Sequence, residues 1–169
     1  ETLFELSFSY AVQNGLLTDY KVIVLAMDED VVSKGVQKRL TDADNGLILD
    51  DATKIIGCYR ALSKLDVQME VMNDPAPMKR AVAFCRDIKS SKRIVSEFDE
   101  VVKEYLSNNP LTATQNALTC ELDHVDGTFN ATTRNSRLSW LKADAPAHTC
   151  RILSNARCLS EGVDVPALA

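Results

Sequence analysis

The residue types best suited to ligand chemistry lie near the end of the chain, within residues 154–166. Gly162 permits a backbone conformation, or a close approach of another group, that other residues resist. Asp164 carries a carboxylate that can accept hydrogen bonds from a ribose hydroxyl or from an arginine. The same residues also suit a turn whose aspartate caps backbone amides. The pattern therefore leaves a ligand site and a purely structural turn both open.

Positive charge is concentrated between Lys79 and Arg93, where six basic residues stand against a single acid, Asp87. The whole chain, in contrast, has a formal net charge of −5. The overall charge argues against simple coating of nucleic acid, whereas the local basic patch is compatible with phosphate contact. A solvated helix face would carry the same charges, so both interpretations stay open at this point.

Other groups that could do chemistry lack the partners they would need. His148, Cys150 and Cys158 have no fourth ligand at a spacing that suits zinc, so no metal site is predicted. His124 ends a predicted strand, and we expect a hydrogen-bonded structural imidazole there rather than a catalytic one. The chain has neither a GxSxG nucleophile motif nor a GxxxxGK[ST] phosphate-binding loop.

Apolar residues recur in a pattern that alternates strands with helices. Strands are predicted over 21–27, 80–85, 117–125 and 150–153, and helices over 47–73 and 88–106. A further helix is predicted to be capped by Thr132 or Thr133 and ended by Pro146, and residues 31–46 are expected to be a loop or mobile insertion. This alternation predicts an α/β fold, a three-layer parallel sheet with right-handed crossovers and helices on both faces. Such sheets bind ligands beyond the carboxyl ends of their strands.

Composition narrows the class of protein. The chain is 46% hydrophobic and 25% charged, as in soluble globular proteins. Its longest apolar run, Val22 to Met27, is far shorter than the ~20 residues that span a bilayer, so no membrane partner is expected. Five cysteines without a CxxC pair predict reduced thiols and a cytoplasmic location. Because the chain starts without methionine and stops after an apolar turn, we expect a fragment of a longer protein.

Several segments resemble the motifs of superfamily-two helicases and translocases. Residues 154–168 resemble motif V, in which a strand is followed by a loop ending Glu-Gly-hydrophobic-Asp-hydrophobic-Pro. Residues 80–94 resemble motif IV, a buried strand that turns into a basic helix. Asp126-Gly127 resembles the end of the family's third strand, and residues 15–22 resemble the segment that leads into the second motor lobe of restriction-type helicases. The similarity is greatest to large bacterial predicted helicases related to restriction-enzyme motor subunits.

The resemblance implies a RecA-like lobe of the P-loop NTPase type, the second of two lobes that clamp ATP and grip a nucleic-acid strand. Residues 1–20 would lead in from the first lobe, and 21–169 would form a partial second lobe, truncated at its C-terminal end. The first lobe would supply the phosphate-binding loop and the magnesium motif, and an arginine finger is expected beyond this chain. The intact protein would therefore use ATP and Mg²⁺, whereas this fragment alone is expected to be inactive.

The resemblance also assigns nucleotide-binding roles near the end of the chain. Gly162 matches the motif V turn glycine, and Asp164 matches the acid that contacts the nucleotide ribose or couples the two lobes. Ala156 stands where many RNA helicases carry a threonine that touches a backbone phosphate. Arg157 follows it and could replace that contact by charge, and the departure makes DNA a more expected partner than RNA.

Four further residues are predicted to contact nucleic acid. Arg86 and Lys92 lie at the turn that resembles motif IV, and Thr128 and Asn130 follow Asp126-Gly127. Contacts of this kind bind backbone phosphates and carry no base information. The sequence thus favours the second motor lobe of an ATP-dependent DNA helicase or translocase. The alternative is a flavodoxin-like or Rossmann-like α/β domain that binds a ligand or a protein without motor activity, because one architecture hosts many functions.

Overall fold

A computed structural model of the chain describes residues 6–17, 22, 24, 26, 49–64, 75–110 and 117–156. Within these residues the chain forms, in order, α1 (Phe8–Gln13), α2 (Leu49–Ser63), β1 (Arg80–Phe84), α3 (Ile88–Asn108), β2 (Thr119–Asp126), α4 (Ala131–Lys142) and β3 (Thr149–Ala156). The three strands make one parallel sheet in the order β1-β3-β2. Helix α3 connects β1 to β2, and α4 connects β2 to β3, so each connection returns the chain to the same end of the sheet.

Strand β3 lies in the centre of the sheet and is buried along nearly its whole length. A parallel strand covered on both faces needs apolar side chains on each of them. Ile152 packs with Tyr59 of α2 and Phe98 of α3, whereas its neighbour Leu153 packs with Leu141 of α4. Successive strand residues point to opposite faces. The predicted α/β fold with helices on both faces of a parallel sheet is therefore confirmed.

Two arginines hold the C-terminal end of α4 at the amino edge of the sheet. Arg80 Nε donates to Leu141 O at 2.9 Å, and Arg151 Nη1 donates to Trp140 O at 2.8 Å. The Arg151 guanidinium also lies 5.4 Å from the centre of the Trp140 ring. Cations at a helix C-terminus satisfy carbonyls that lack intrahelical partners and complement the helix dipole. Arg80, counted in the basic segment of the sequence, thus has a structural role.

Most predicted strand and helix positions are confirmed, but apolar periodicity did not locate the helix ends correctly. The strands predicted over 80–85, 117–125 and 150–153 are present as β1, β2 and β3. The helix predicted over 47–73 corresponds to α2, which ends at Ser63. The next residue, Lys64, has a left-handed φ of 57°. Helix α4 begins earlier than predicted, because Asn130 caps it by accepting the Thr133 N–H at 2.8 Å.

The strand predicted over 21–27 is not found among its described residues. Val22 and Val24 lie outside any strand and are 75% and 87% exposed. A β-branched run predicts a buried strand only if neighbouring elements cover it, and sequence periodicity does not show which element does so. The loop predicted over 31–46 lies outside the described residues. In the described part of the chain, no helix has the length and apolar character needed to cross a bilayer.

Removal of the Leu141 side chain should destabilise the fold strongly. Leu141 is fully buried between α4 and the sheet, so Leu141→Ala should lower the free energy of unfolding by about 2–5 kcal/mol. Urea unfolding followed by circular dichroism measures this change. Asn135→Ala, at an exposed position of the same helix, is the matched control and should change it by less than about 0.5 kcal/mol. Equal effects of the two substitutions would contradict the packing of α4 on the sheet.

Candidate functional site at the carboxyl edge of the sheet

The segments that follow β1 and β2, together with the last residue of β3, border one cavity of about 660 Å³. The connection from β1 to α3 forms one wall, the turn after β2 forms a second, and the end of β3 completes it. Its lining residues are Arg86, Asp87, Ile88, Lys89, Gly127, Thr128 and Ala156. Open α/β sheets bind their ligands at this edge. The cavity is therefore the candidate functional site.

Helix α3 points its N-terminus at this cavity, and the basic side chains of its first turns, unlike its N-cap Asp87, oppose the helix dipole. Its first turn has no acidic residue and its last turn has no basic one. Lys89 and Lys92 add positive charge where the helix dipole is already positive, whereas Glu100 and Glu104 lie toward the other end. Such an arrangement costs stability, and a bound anion at the N-terminus would offset the cost. The charge pattern of α3 therefore suits an anionic ligand.

Asp87 caps α3 and holds Arg86 at the mouth of the cavity. Asp87 Oδ1 accepts the Ser90 backbone N–H at 2.7 Å, and this bond is the main cause that lowers the pKa of the Asp87 carboxyl to about 2. Arg86 Nε donates to Asp87 Oδ2 at 3.0 Å, although the Arg86 side chain is 85% exposed. Exposed ion pairs contribute little to stability. The Arg86 guanidinium can therefore exchange this carboxylate for a phosphate at low cost.

The turn after β2 is organised by the buried carboxylate of Asp126. Its Oδ1 accepts the Thr128 hydroxyl at 2.5 Å and the Thr128 N–H at 2.8 Å, and its Oδ2 lies 2.8 Å from His124 Nε2. The Thr128 hydroxyl bond is the largest cause that lowers the pKa of Asp126 to about 2, and the His124 bond adds to it. Asp126 is therefore charged although it is fully buried. Thr128 lines the cavity with its hydroxyl proton directed to Asp126.

Asp126 also belongs to a chain of buried polar groups that joins α3 to the two neighbouring strands. Ser91 Oγ lies 2.7 Å from His124 Nδ1 and 2.7 Å from Ser154 Oγ. Cys85 Sγ lies 3.3 Å from the same Ser154 Oγ. The imidazole of His124 also packs edge-on against Phe129, with ring centres 5.8 Å apart. His124 thus has both ring nitrogens hydrogen-bonded, as expected for a structural imidazole.

Ser91, His124 and Asp126 are hydrogen-bonded in the order of a hydrolase triad, but the Ser91 hydroxyl is not accessible to a substrate. Ser91 is fully buried, and its hydroxyl is also bound to Ser154. A nucleophile must reach a substrate carbonyl or phosphorus atom. These three residues therefore form an internal network rather than a catalytic centre.

The structure brings together only some of the residues predicted to bind nucleic acid. Arg86 and Thr128 line the same cavity. Lys92 is exposed, about one turn further along α3, and is not among the lining residues. Asn130 serves as the N-cap of α4, which occupies its side-chain oxygen. Three predicted residues lie outside the described part of the chain: Arg157, Gly162 and Asp164.

Lys89 and the polar network were not singled out by the sequence. Lys89 is the second residue of α3 and lines the cavity. Its position in the first helical turn after β1 is the signal that could have distinguished it from Lys92. The network has no local signal, because Ser91 lies 33 positions from His124 and 63 positions from Ser154.

The end of β3 holds a buried acceptor. Asn155 is fully buried, and its Nδ2 donates to Ala83 O at 3.1 Å. Its Oδ1 has no hydrogen-bond partner among the described residues. A buried amide oxygen of this kind can accept a further hydrogen bond.

The described residues contain no group of three or more His, Cys, Asp or Glu side chains that could hold a metal ion. His148 is exposed, whereas Cys150 is fully buried in β3. Burial raises the pKa of the Cys150 thiol to about 12, which disfavours the thiolate that zinc binds. Cys158, the third of the sequence candidates for zinc, lies outside the described residues.

Loss of the Thr128 hydroxyl should move the acid unfolding of the protein to higher pH. The folded-state pKa of Asp126 is about 2, below its ordinary value of 3.8, so its carboxylate stabilises the fold above pH 3.8 and loses this effect as the pH falls through 2. Thr128→Ala removes the largest cause of the lowered pKa, so stability should be lost at a higher pH. Urea unfolding between pH 7 and pH 2 measures the shift. Thr132→Ala, exposed in the first turn of α4, should follow the wild-type curve. Superimposable curves for Thr128→Ala and the wild type would contradict the assignment.

Comparisons with known proteins show a similarity to a solved structure. Protein-family models and the curated proteins give no match to this chain. A solved structure described as the ATP-dependent Type ISP restriction-modification enzyme LlaBIII bound to DNA is 38% identical, with a TM-score of 0.77. The match covers 98% of this chain and 10% of that chain, so the chain spans about a tenth of the solved protein. This similarity supports the relationship to helicase-related restriction enzymes that the sequence motifs indicated, and it agrees with a RecA-like α/β lobe.

Proposed function

We propose that this chain is the second motor lobe of an ATP-dependent DNA translocase related to Type ISP restriction-modification enzymes. The observation that carries the proposal is the 38% identity over 98% of the chain to an enzyme that is ATP-dependent and bound to DNA. Residues 1–20 would lead in from the first lobe, and 21–169 would form part of the second. The intact protein would act on DNA in the cytoplasm, and its first lobe would be the partner of this one.

The carboxyl edge supports the DNA-binding half of the proposal. Arg86 and Lys89 border the same cavity as the N-terminus of α3, and all three favour negative charge. DNA offers one phosphate at every nucleotide, and such contacts fix the position of a protein on the strand without reading its sequence. Lys92 would extend the basic surface by one helical turn, and Arg157 would add a cation directly after β3. Thr128 and Asn130 would contribute to the same surface through the turn that they organise.

The nucleotide-binding half of the proposal rests on the path of β3. The described part of this strand ends at Ala156, at the carboxyl edge, and the proposed nucleotide residues Gly162 and Asp164 follow within the next eight positions. Asp164 would contact the ribose or couple the lobes. The sequence has no GxxxxGK[ST] loop, so the phosphate grip and the Mg²⁺ site would belong to the first lobe. When bound, ATP supplies the free energy of hydrolysis that drives the motor.

The proposed mechanism would use two sites at one edge of the sheet. Closure of the two lobes would bring Asp164 and the β3 end against the other lobe, while Arg86 and Lys89 hold a backbone phosphate. Opening of the lobes would release or reposition that contact. Since phosphate contacts are blind to sequence, the grip can be renewed at each nucleotide along the strand. Alternation of the grip between the lobes would convert closure into stepping.

Substitution of Arg86 and Lys89 should weaken binding to the same extent for every DNA sequence. Arg86→Ala with Lys89→Ala removes two phosphate contacts, and each contact contributes about 0.9 to the slope of log affinity against log salt concentration. The slope for the full-length protein should therefore fall by about 2, as measured by fluorescence anisotropy across a salt series.

The control is Lys103→Ala, which changes an exposed residue paired with Asp99 near the other end of α3. Arg86→Ala with Lys92→Ala tests the pair that the sequence favoured. An unchanged slope in both double variants would argue against DNA contact at this edge.

Loss of the Asp164 carboxylate should abolish the stimulation of ATP hydrolysis by DNA. We expect the full-length wild-type protein to show ATPase activity that DNA stimulates, and Asp164→Ala to lose that stimulation. Stimulation that survives in the variant would keep the motor function and discard the role of Asp164. No ATPase activity in a folded wild-type protein with DNA present would contradict the motor function and favour a binding domain.

A further inference from the structure

The buried network at the carboxyl edge contains hydroxyl and imidazole groups from three different elements. Ser91 lies in the first turns of α3, His124 lies in β2 and Ser154 lies in β3. His124 and Ser154 are direct neighbours in the register of the two parallel strands. Ser91 Oγ bridges them from the helix that covers this face, at 2.7 Å from each. One hydroxyl therefore ties the position of α3 to both strand ends.

The network runs from the Asp126 carboxylate through His124 to the two serines and Cys85. Charged Asp126 can only accept, so His124 Nε2–H donates to it. Ser91 Oγ lies 2.7 Å from both His124 Nδ1 and Ser154 Oγ, and Ser154 Oγ also donates to the Ser91 carbonyl oxygen at 3.3 Å. Ser154 Oγ can accept in turn from the Cys85 thiol at 3.3 Å. Each of these groups therefore has a hydrogen-bond partner within the network, and the charged carboxylate fixes the direction of the bond from His124.

Each member of the network lies within four positions of a residue of the proposed site. Ser91 follows Lys89 by two positions, His124 precedes Thr128 by four, and Ser154 precedes Arg157 by three. Water cannot replace these bonds easily, because Ser91 and Ser154 are fully buried and His124 is 7% exposed. A satisfied polar network in a low-dielectric interior holds one arrangement firmly. A shift of the β3 end therefore must be shared with α3 and β2 or must break a buried hydrogen bond.

We propose that Ser91, His124 and Ser154 are positioning residues that couple the carboxyl end of β3, which precedes the proposed nucleotide residues in the sequence, to the DNA-contacting cations Arg86 and Lys89. The inference rests on the proposed motor function. The three residues touch neither ATP nor DNA; they transmit the position of the β3 end to the first turn of α3. Apolar side chains could fill the same space, but they would allow the two segments to move independently.

The test is the ATPase activity of the full-length protein with and without DNA. Ser91→Ala removes the bridging hydroxyl without adding volume. Because a buried hydrogen-bond partner is lost, the factor by which DNA stimulates ATPase should fall at least about fivefold, while the basal rate stays within about twofold of wild type. Ser154→Ala removes one of the two contacts of the Ser91 hydroxyl and should lower the same factor, and the double variant should be no worse than Ser91→Ala, which already removes the contact between the two serines.

Matched controls separate coupling from general damage. Ser96→Ala changes an exposed serine of the same helix, and His148→Asn is the counterpart of His124→Asn at an exposed position. Both controls should keep the wild-type stimulation factor, whereas His124→Asn should lose it. Basal and stimulated rates that fall in proportion in all three network variants would show a merely structural role and overturn the proposal. A stimulation factor that stays at the wild-type value would overturn it as well.

The outcome for the wild-type protein separates the two proposals. If DNA stimulates the wild-type ATPase and the network variants behave like the controls, the motor function stands and the coupling role is overturned. If DNA fails to stimulate a folded wild-type protein, the motor function and the coupling role that rests on it are both overturned.

Discussion

The carboxylate of Asp126 is buried and charged at the end of β2, and this places a strong constraint on everything around it. A charge removed from water must be surrounded by hydrogen-bond donors. Thr128 supplies two of them, which shapes the turn into α4, and His124 supplies the third. The other nitrogen of His124 leads to Ser91 on α3 and from there to Ser154 on β3. The carboxyl edge is thus organised from one buried charge outward.

The basic segment of the sequence divides into residues with different tasks. Arg80 binds the C-terminal carbonyls of α4 at the amino edge, and Arg93 pairs with Asp51 at 3.2 Å, which joins α3 to α2. Arg86 and Lys89 instead border the cavity at the opposite edge. Part of the positive charge therefore stabilises the fold, and part is placed beside the N-terminus of α3, where the helix dipole adds to it.

The segments proposed to contact DNA and the segment proposed to contact nucleotide all follow strand ends at the carboxyl edge. DNA contact is assigned to the α3 N-terminus and the turn after β2, and nucleotide contact to the loop after β3. In a parallel sheet, these segments start side by side because all strands end at one edge. Because the two segments begin at adjacent strand ends, a mechanical link between them can be short. The buried hydroxyl of Ser91 provides such a link, since it contacts both β2 and β3.

The sequence alone determined the architecture and the edge at which function is expected. Apolar periodicity predicted β1, α3, β2 and β3, because the burial of one face is a local property that repeats along each element. Once the strands were known to be parallel, Arg86 and Thr128 could be assigned to one edge. Tertiary structure alone decided that Lys89 rather than Lys92 lines the cavity, that Arg80 is structural, and that Val22 and Val24 are exposed. It also created the network of Ser91, His124 and Ser154, whose bonds join residues up to 63 positions apart and so depend on strand register and helix placement, which no local pattern encodes.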